Sequence, residues 1–330
     1  FLIFFMQLIK INKESEIPLI GTIFFGIIDR GSNLIQIRPT TICNLNCIFC
    51  STDGGNKSKF HQVSYEVDVN YLLEWIKEIV EFKGEGTEIN IDSVGEATCY
   101  KDLIKLIKGI KNINGISKIS MQSNGILLTK EKIKELEEAG LNRINLSLHS
   151  LDDEKNKFLT NCENYNTKHV LEVAELINKS KIELLLAPVF IPKNDKDIEG
   201  IIELSKKLNC KIGIQKYEIH KFGRKIKNIK EMTFWKFYKK LDEWEKKFDV
   251  KLKLGPYDFN IKRTKRIPKV FNKNEIINVE IKIPGWIRNE LIGVAKNRCI
   301  TVINSNAKIG QRIKVKIIDD KNEIYIAKSL

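Results

Sequence analysis

Between about residue 35 and residue 255, short β-rich runs alternate with longer runs whose apolar residues recur at helical spacing. A chain patterned this way folds as parallel strands covered by helices, the α/β class. The β-rich runs fall at 35–38, 88–94, 118–122, 143–148, 183–191 and 211–217. Helical runs follow at 69–82, 103–110, 130–139, 168–177 and 197–208. In the first of these, Leu72, Leu73, Ile76, Ile79 and Val80 share a face. Thr129 is placed to cap the run 130–139 and Gly140 to stop it. A further helix is expected at 232–248, with Phe234, Trp235, Phe237, Tyr238, Trp244 and Phe248 on a wide aromatic face. That face is either core against the strands or a stacking surface for nucleic acid.

The loop after the first strand reads Cys43-Asn-Leu-Asn-Cys47-Ile-Phe-Cys50. Three thiolates at this spacing can ligate one [4Fe–4S] cluster and leave its fourth iron open to another molecule. A tetrahedral zinc site needs four ligands, and the nearest other candidate, His61, lies beyond the polar run 51–59. A disulfide framework does not suit a large chain with an odd seven cysteines. The motif resembles that of the radical SAM superfamily, whose members bind S-adenosylmethionine (SAM) at the open iron and cleave it reductively to a 5′-deoxyadenosyl radical. The resemblance implies a partial (β/α)6 barrel over residues 35–255, with cofactor groups at the C-terminal strand ends. It also implies a one-electron donor such as ferredoxin or flavodoxin, and a reducing cytoplasm.

The same resemblance assigns further residues. Phe49 stands where the family places an aromatic ring beside the adenine. Val94-Gly95-Glu96-Ala97-Thr98 is similar to the family's Gly-Gly-Glu-Pro turn against the SAM amino group, with Val94 and Ala97 departing from it. Ser123-Asn124-Gly125 resembles the Thr-Asn-Gly at the third strand end. On the fourth strand, alternation puts Asn145, Ser147 and His149 on one face. Ser147 is the residue expected at the SAM ribose or carboxylate; His149 is expected at cofactor or substrate, or just behind them. Val189 and Ile191 pack the adenine or belong to ordinary core. Gln215, Tyr217, His220 and Arg224 form either a substrate edge or a polar surface loop. Cys162 is a catalytic thiol, a radical relay or an incidental loop cysteine, and His149 and Tyr217 are the other catalytic candidates. Cys99, Cys162, Cys210 and Cys299 form no second C-x2-C pair, which counts against a methylthiotransferase and against peptide maturases with cysteine-rich extensions. Cys299 is expected to fill a small C-terminal barrel.

Charge divides the chain. Residues 216–330 hold 29 Lys/Arg against 13 Asp/Glu, a net +16, and residues 1–215 are at −2. Segregation of this kind points to a polyanion more than net charge alone does. The connector Lys262-Arg263-Thr-Lys-Arg266 is its most basic run. From 275 onward the helical period gives way to short alternating strands at 279–283, 291–295, 299–303, 312–317 and 324–327. This tail resembles a TRAM domain, a small OB-like barrel that binds RNA, and Arg312, Lys314 and Lys316 would form a basic ladder on one strand face. The expected organisation is 1–34 as an N-terminal extension or strands, 35–255 as the barrel, 256–274 as a basic linker and 275–330 as the TRAM-like barrel.

The expected function is modification of tRNA or rRNA. Two alternatives stand beside it: a protein or small-metabolite substrate, and a non-enzymatic RNA-binding protein with a structural cluster. No apolar run reaches the roughly 18 residues of a membrane span. The apolar Phe1–Phe5 lacks a basic start and is either an extension ahead of Met6 or a buried first strand.

Overall fold

Ile35 and Ile37 are fully buried in the strand Leu34–Arg38, which pairs in parallel with Thr87–Ile91 and antiparallel with Gly26–Asp29. The computed structural model describes residues 6–92, 94–192 and 194–330. The reading of residues 1–5 lies outside them. The chain forms two units.

The first unit comprises residues 6–42, 58–119 and 263–330. Helix Val69–Lys83 starts at Asp68, whose side chain accepts from the Asn70 and Tyr71 N–H groups. It buries Leu72, Ile76, Ile79 and Val80, the face the periodicity predicts. Helix Leu103–Lys111 buries Leu103, Leu106, Ile107 and Ile110. A parallel pair, Gln7–Ile11 with Val63–Val67, had no clear sequence signal.

In the same unit, five strands close into a barrel in the order Ile276–Pro284, Glu290–Ala295, Arg298–Ile303, Ile326–Ser329, Arg312–Asp319. Alternation places Val279, Ile281, Ile300, Val302, Val315 and Ile317 in its core with Phe271 and Tyr325. The same alternation turns Cys299 the other way. Its Sγ lies 3.1 Å from the Pro18 carbonyl, and its N–H donates to the Ile20 carbonyl at 2.8 Å. The expectation that Cys299 fills the barrel therefore fails; it packs between the barrel wall and the segment 18–21. Gly21, at φ 125°, allows that approach, since a Cβ there would stand 2.0 Å from the Cys299 carbonyl oxygen.

A buried ion pair fixes the connector. Lys83 Nζ lies 3.0 Å from both Asp29 carboxylate oxygens and 2.6 Å from the Lys265 carbonyl. Asp29 also accepts from the Ile267 and Gly31 N–H groups.

The second unit comprises residues 43–57 and 120–262. The Ser120–Ser123 end of strand Ile116–Ser123 pairs in parallel with Arg143–Leu146, which pairs with Glu183–Leu186, and that with Lys211–Ile212. The two expected long strands at 183–191 and 211–217 are each broken. Pro188 has no N–H to donate, and the chain resumes as a separate parallel pair, Val189–Phe190 with Gln215–Lys216. The helices are Lys130–Ala139, Asp153–Thr160, Thr167–Lys179, Asp195–Lys207 and Phe234–Phe248. Thr129 caps the first through the Lys132 N–H, and Gly140 ends it at φ 103°. Asp153–Thr160, rich in charged and polar residues, showed no apolar period.

Helix Phe234–Phe248 divides its aromatic face. Phe237, Trp244 and Phe248 are core, with Trp244 edge-on to Phe190. Phe234, Trp235 and Tyr238 are exposed. Among the described residues, no helix is long and apolar enough to cross a membrane.

Candidate active site

The cysteine loop belongs to the second unit, which holds it from three directions. The Asn46 and Ile48 N–H groups donate to the Thr160 and Leu159 carbonyls at 3.0 and 2.9 Å, so the end of helix Asp153–Thr160 supports one side. Asn124 Nδ2 donates to Asn44 Oδ1 at 2.7 Å, tying a second side to the turn after the third strand. Arg224 fastens the third side. Its N–H donates to the Cys50 carbonyl at 2.8 Å and its Nη1 to the Cys47 carbonyl at 3.2 Å. Its Nε lies 2.7 Å from Asp53 Oδ1. Gly223 permits the contact, because a Cβ there would stand 2.7 Å from the Ser51 carbonyl oxygen.

Cys43, Cys47 and Cys50 are all partly exposed, and none is in a disulfide. The Gly54 N–H donates to Cys50 Sγ at 3.2 Å, and Thr52 Oγ1 lies 3.4 Å from that sulfur. Although Cys47 keeps some open surface, the protein packed around its sulfur raises its thiol pKa well above the usual range. Cys50 and Cys43 add to that rise, and Arg224 opposes it. Ligation must therefore drive a proton off Cys47. Among the described residues, no three His, Cys, Asp or Glu side chains converge on one ion position. A cluster does not require such convergence, since each thiolate takes a different iron. Three coupled thiols, an N–H on one sulfur and an arginine against the loop fit a thiolate-bound cluster.

Phe49 and His149 meet edge-on at 4.7 Å. His149 is buried and accepts the Val189 N–H on Nδ1 at 3.1 Å. Burial lowers its pKa to about 4. The ring is neutral at pH 7, and with Nδ1 accepting, its proton is assigned to Nε2. Leu146 and Leu148 are fully buried, while Asn145 and Ser147 face the other way and stay partly exposed. Ser123 and Asn124 serve their own turn: Ser123 Oγ accepts from Gly125 N–H and Asn124 Oδ1 from Ile126 N–H.

Ile191 and Tyr217 are core with Leu159, and Val189 packs partly exposed against them. Tyr217 is turned inward and its hydroxyl accepts the Ile226 N–H at 3.1 Å. Gln215 is exposed, as is His220, which lies 3.8 Å from Glu218. Of these four substrate-edge candidates, Arg224 hydrogen-bonds to the cysteine loop, and the cluster containing Tyr217 packs against Ile48 and Phe49 of that loop. Cys162 lies just past helix Asp153–Thr160, with its N–H on the Lys157 carbonyl.

In the first unit, Gly95 packs on the carbonyl of Ile42, the residue before Cys43; a Cβ would stand 2.2 Å from that oxygen. The Glu96 N–H donates to the same carbonyl at 2.8 Å. The Glu96 carboxylate caps the next turn through the Thr98 N–H and hydroxyl at 3.1 and 2.6 Å. Arg263 is exposed, and Ser32 bridges it through the backbone; Lys262, the last residue of the second unit, is exposed as well. On the barrel, Arg312 and Lys314 face solvent, Arg312 within 3.4 Å of Glu280.

Sequence reasoning missed several residues that shape the loop. Asn46 bonds Asn56 and the Lys57 N–H, and Asp53, 1% exposed, anchors Arg224. The turn-rich Asp53-Gly-Gly55 was the available signal. Tyr165 is a buried phenol whose oxygen has no hydrogen-bond partner among the described residues. Burial raises its pKa first, and Cys47 next.

Comparison with known proteins bears on this geometry. The sequence model of the Radical SAM superfamily matches residues 37–205. An uncharacterized protein of Methanocaldococcus jannaschii is 40% identical over an alignment covering 97% of this chain and 80% of that protein. The GTP 3′,8-cyclase of Aquifex aeolicus is 31% identical over 58% of this chain. That alignment covers 58% of the cyclase, less than two thirds of its length. Among solved structures, Streptococcus suis SuiB bound to S-adenosylmethionine has a TM-score of 0.52 at 18% identity. The match covers 65% of this chain and 47% of SuiB, and it shows a shared fold.

Proposed function

The chain belongs to the Radical SAM superfamily, whose members hold a [4Fe–4S] cluster and SAM and take electrons from a reducing partner, and we propose that it modifies tRNA or rRNA in the cytoplasm. Cys43, Cys47 and Cys50 would hold the cluster. Bound there, it supplies the electron that cleaves SAM to a 5′-deoxyadenosyl radical. Around it, Arg224 and Asp53 fix the loop, Gly95 lets the turn 94–98 approach the chain ahead of Cys43, and Phe49 is steadied by His149. Glu96 and Ser147 are proposed SAM contacts, and a ferredoxin or flavodoxin is the proposed donor.

The observation that carries the RNA reading is the +16 charge of residues 216–330, part of it on a closed five-stranded barrel whose strand Arg312–Asp319 points Arg312 and Lys314 to solvent. That barrel is proposed to act as a TRAM-like phosphate-binding module. Nucleoside mass spectrometry on RNA from cells with and without the gene tests the reading, with one nucleoside expected to disappear. Unchanged nucleosides, with salt-independent or absent binding to total tRNA and rRNA, would overturn it.

A second reading, a free purine nucleotide as substrate, is favoured by the similarity to the Aquifex GTP 3′,8-cyclase. It predicts that GTP alone, without RNA, stimulates 5′-deoxyadenosine formation.

A further inference from the structure

We infer that the exposed start of helix Phe234–Phe248 is a stacking platform for single-stranded RNA, with the lysines around it holding the phosphates. This rests on the RNA reading above and names where unpaired substrate would lie.

Three large rings stand in solvent within one turn of helix. Phe234 is 56% exposed, Trp235 68% and Tyr238 49%, although the same helix buries Phe237, Leu241, Trp244 and Phe248. Phe234 and Tyr238, four residues apart, lie one above the other with ring centroids 6.4 Å apart, and Trp235 flanks them. A helix of this length needs one apolar face for its core, and this one already has it. The second aromatic face therefore answers to something outside the fold.

The charges around the rings indicate what. Lys216 Nζ sits 4.7 Å from the Phe234 ring centre and Lys239 Nζ 5.4 Å from that of Trp235. Lys225, Lys227 and Lys230 precede the helix, and Lys236 lies on its first turn. These four and Lys239 are exposed and make no ion pair among the described residues. By contrast, Lys216, Lys240, Lys247 and Lys253 nearby are each paired with carboxylates. Lysine is depleted in protein–protein interfaces, whereas unpaired cations beside open aromatic faces are how single-stranded nucleic acid is gripped. A duplex hides its base faces, so these rings can meet only unstacked bases.

The test uses the full chain, a short fluorescent oligouridylate, a blunt-ended two-strand RNA duplex, and total tRNA. The wild type should bind oligouridylate more tightly than the duplex, with quenching of Trp235 fluorescence. The variant Phe234→Ala/Trp235→Ala/Tyr238→Ala should lose about 10- to 100-fold in oligouridylate affinity. Its thermal melting should match the wild type, because all three side chains are exposed. Equal oligouridylate affinity in the triple variant would overturn the platform and leave the RNA reading standing. So would wild-type binding to tRNA with none to oligouridylate. Absence of binding to every RNA would overturn both. A wild-type dimer that the triple variant dissociates would assign the face to a second copy of the chain instead.

Discussion

Arg224 Nε lies 2.7 Å from Asp53 Oδ1, an ion pair between residues 171 positions apart that closes the cysteine loop against the segment between strand Gln215–Lys216 and helix Phe234–Phe248. Arg224 also donates to the carbonyls of Cys47 and Cys50, so one side chain and its backbone meet both cysteine residues. Removing such a support typically costs about 10- to 100-fold in metal affinity. Arg224→Ala should therefore lose iron that much faster to a chelator after anaerobic reconstitution. Asp53→Asn should fall between Arg224→Ala and the wild type. Arg224→Lys should rescue little, because an ammonium cannot reproduce the guanidinium's fixed fork. Wild-type iron retention in Arg224→Ala would show that the loop holds its shape without the strap.

Gly95 and Ser147 should behave differently, although both are proposed at the SAM face. Gly95 touches the Thr41–Ile42 backbone directly ahead of Cys43, so a methyl group there must push the first cysteine. Gly95→Ala should lower both iron content and SAM affinity, with an overpacking cost of about 1–3 kcal/mol. Ser147 hydrogen-bonds to strand Ile116–Ser123 through its backbone N–H, and its side chain is partly open. Ser147→Ala should keep full iron and lose SAM affinity by about tenfold, the worth of one hydrogen bond. Iron analysis beside equilibrium SAM binding separates the two; a matched loss of iron in both variants would refute the distinction.

Much of this was legible in the sequence because it rests on local signals. The cysteine spacing, the cap at Thr129, the stop at Gly140 and the alternation of Val315 and Ile317 with Arg312 and Lys314 are each read within a few residues. What was hidden depends on partners far along the chain. Arg224 looked like a substrate residue because nothing in 215–224 reveals that it faces Asp53. Cys299 looked like barrel filler because its true neighbour, Pro18, lies 281 residues away. The aromatic run 234–248 had a period that fitted two faces, and only the fold shows which face is buried.

His149 makes the stability pH-dependent. Its pKa falls from the ordinary 6.5 to about 4 through burial alone. The unfolded chain then takes up a proton in a range where the folded one does not, so stability is complete above about pH 6.5 and declines as pH falls toward 4. A shift of this size corresponds to about 3 kcal/mol across that window. Urea unfolding from pH 7 to 4.5 should show the decline, and His149→Asn should remove most of it while lowering stability at pH 7. Parallel pH profiles for the variant and wild type would place the dependence elsewhere.

Lys83 and Asp29 give the sharpest stability prediction, because both side chains are fully buried while a comparable surface pair is available on the same helix. Lys83→Met leaves the Asp29 carboxylate buried without its cation, a loss of about 3–5 kcal/mol. Lys77, whose Nζ is 3.9 Å from Glu81 in solvent, should lose no more than about 0.5 kcal/mol on the same replacement. The charge, not the hydrophobic stem, is what the buried site misses. Lys83→Met combined with Asp29→Asn should therefore recover part of the loss, since asparagine carries no charge and keeps one oxygen for one of the two N–H groups, Gly31 or Ile267, that Asp29 serves with separate oxygens. Loss of the pair should also release the connector, because Lys83 holds the Lys265 carbonyl and Asp29 the Ile267 N–H. Proteolysis within 262–269 should accelerate in Lys83→Met and not in Lys77→Met. Equal urea midpoints for the two single variants would mean that the buried pair contributes no more than a surface one.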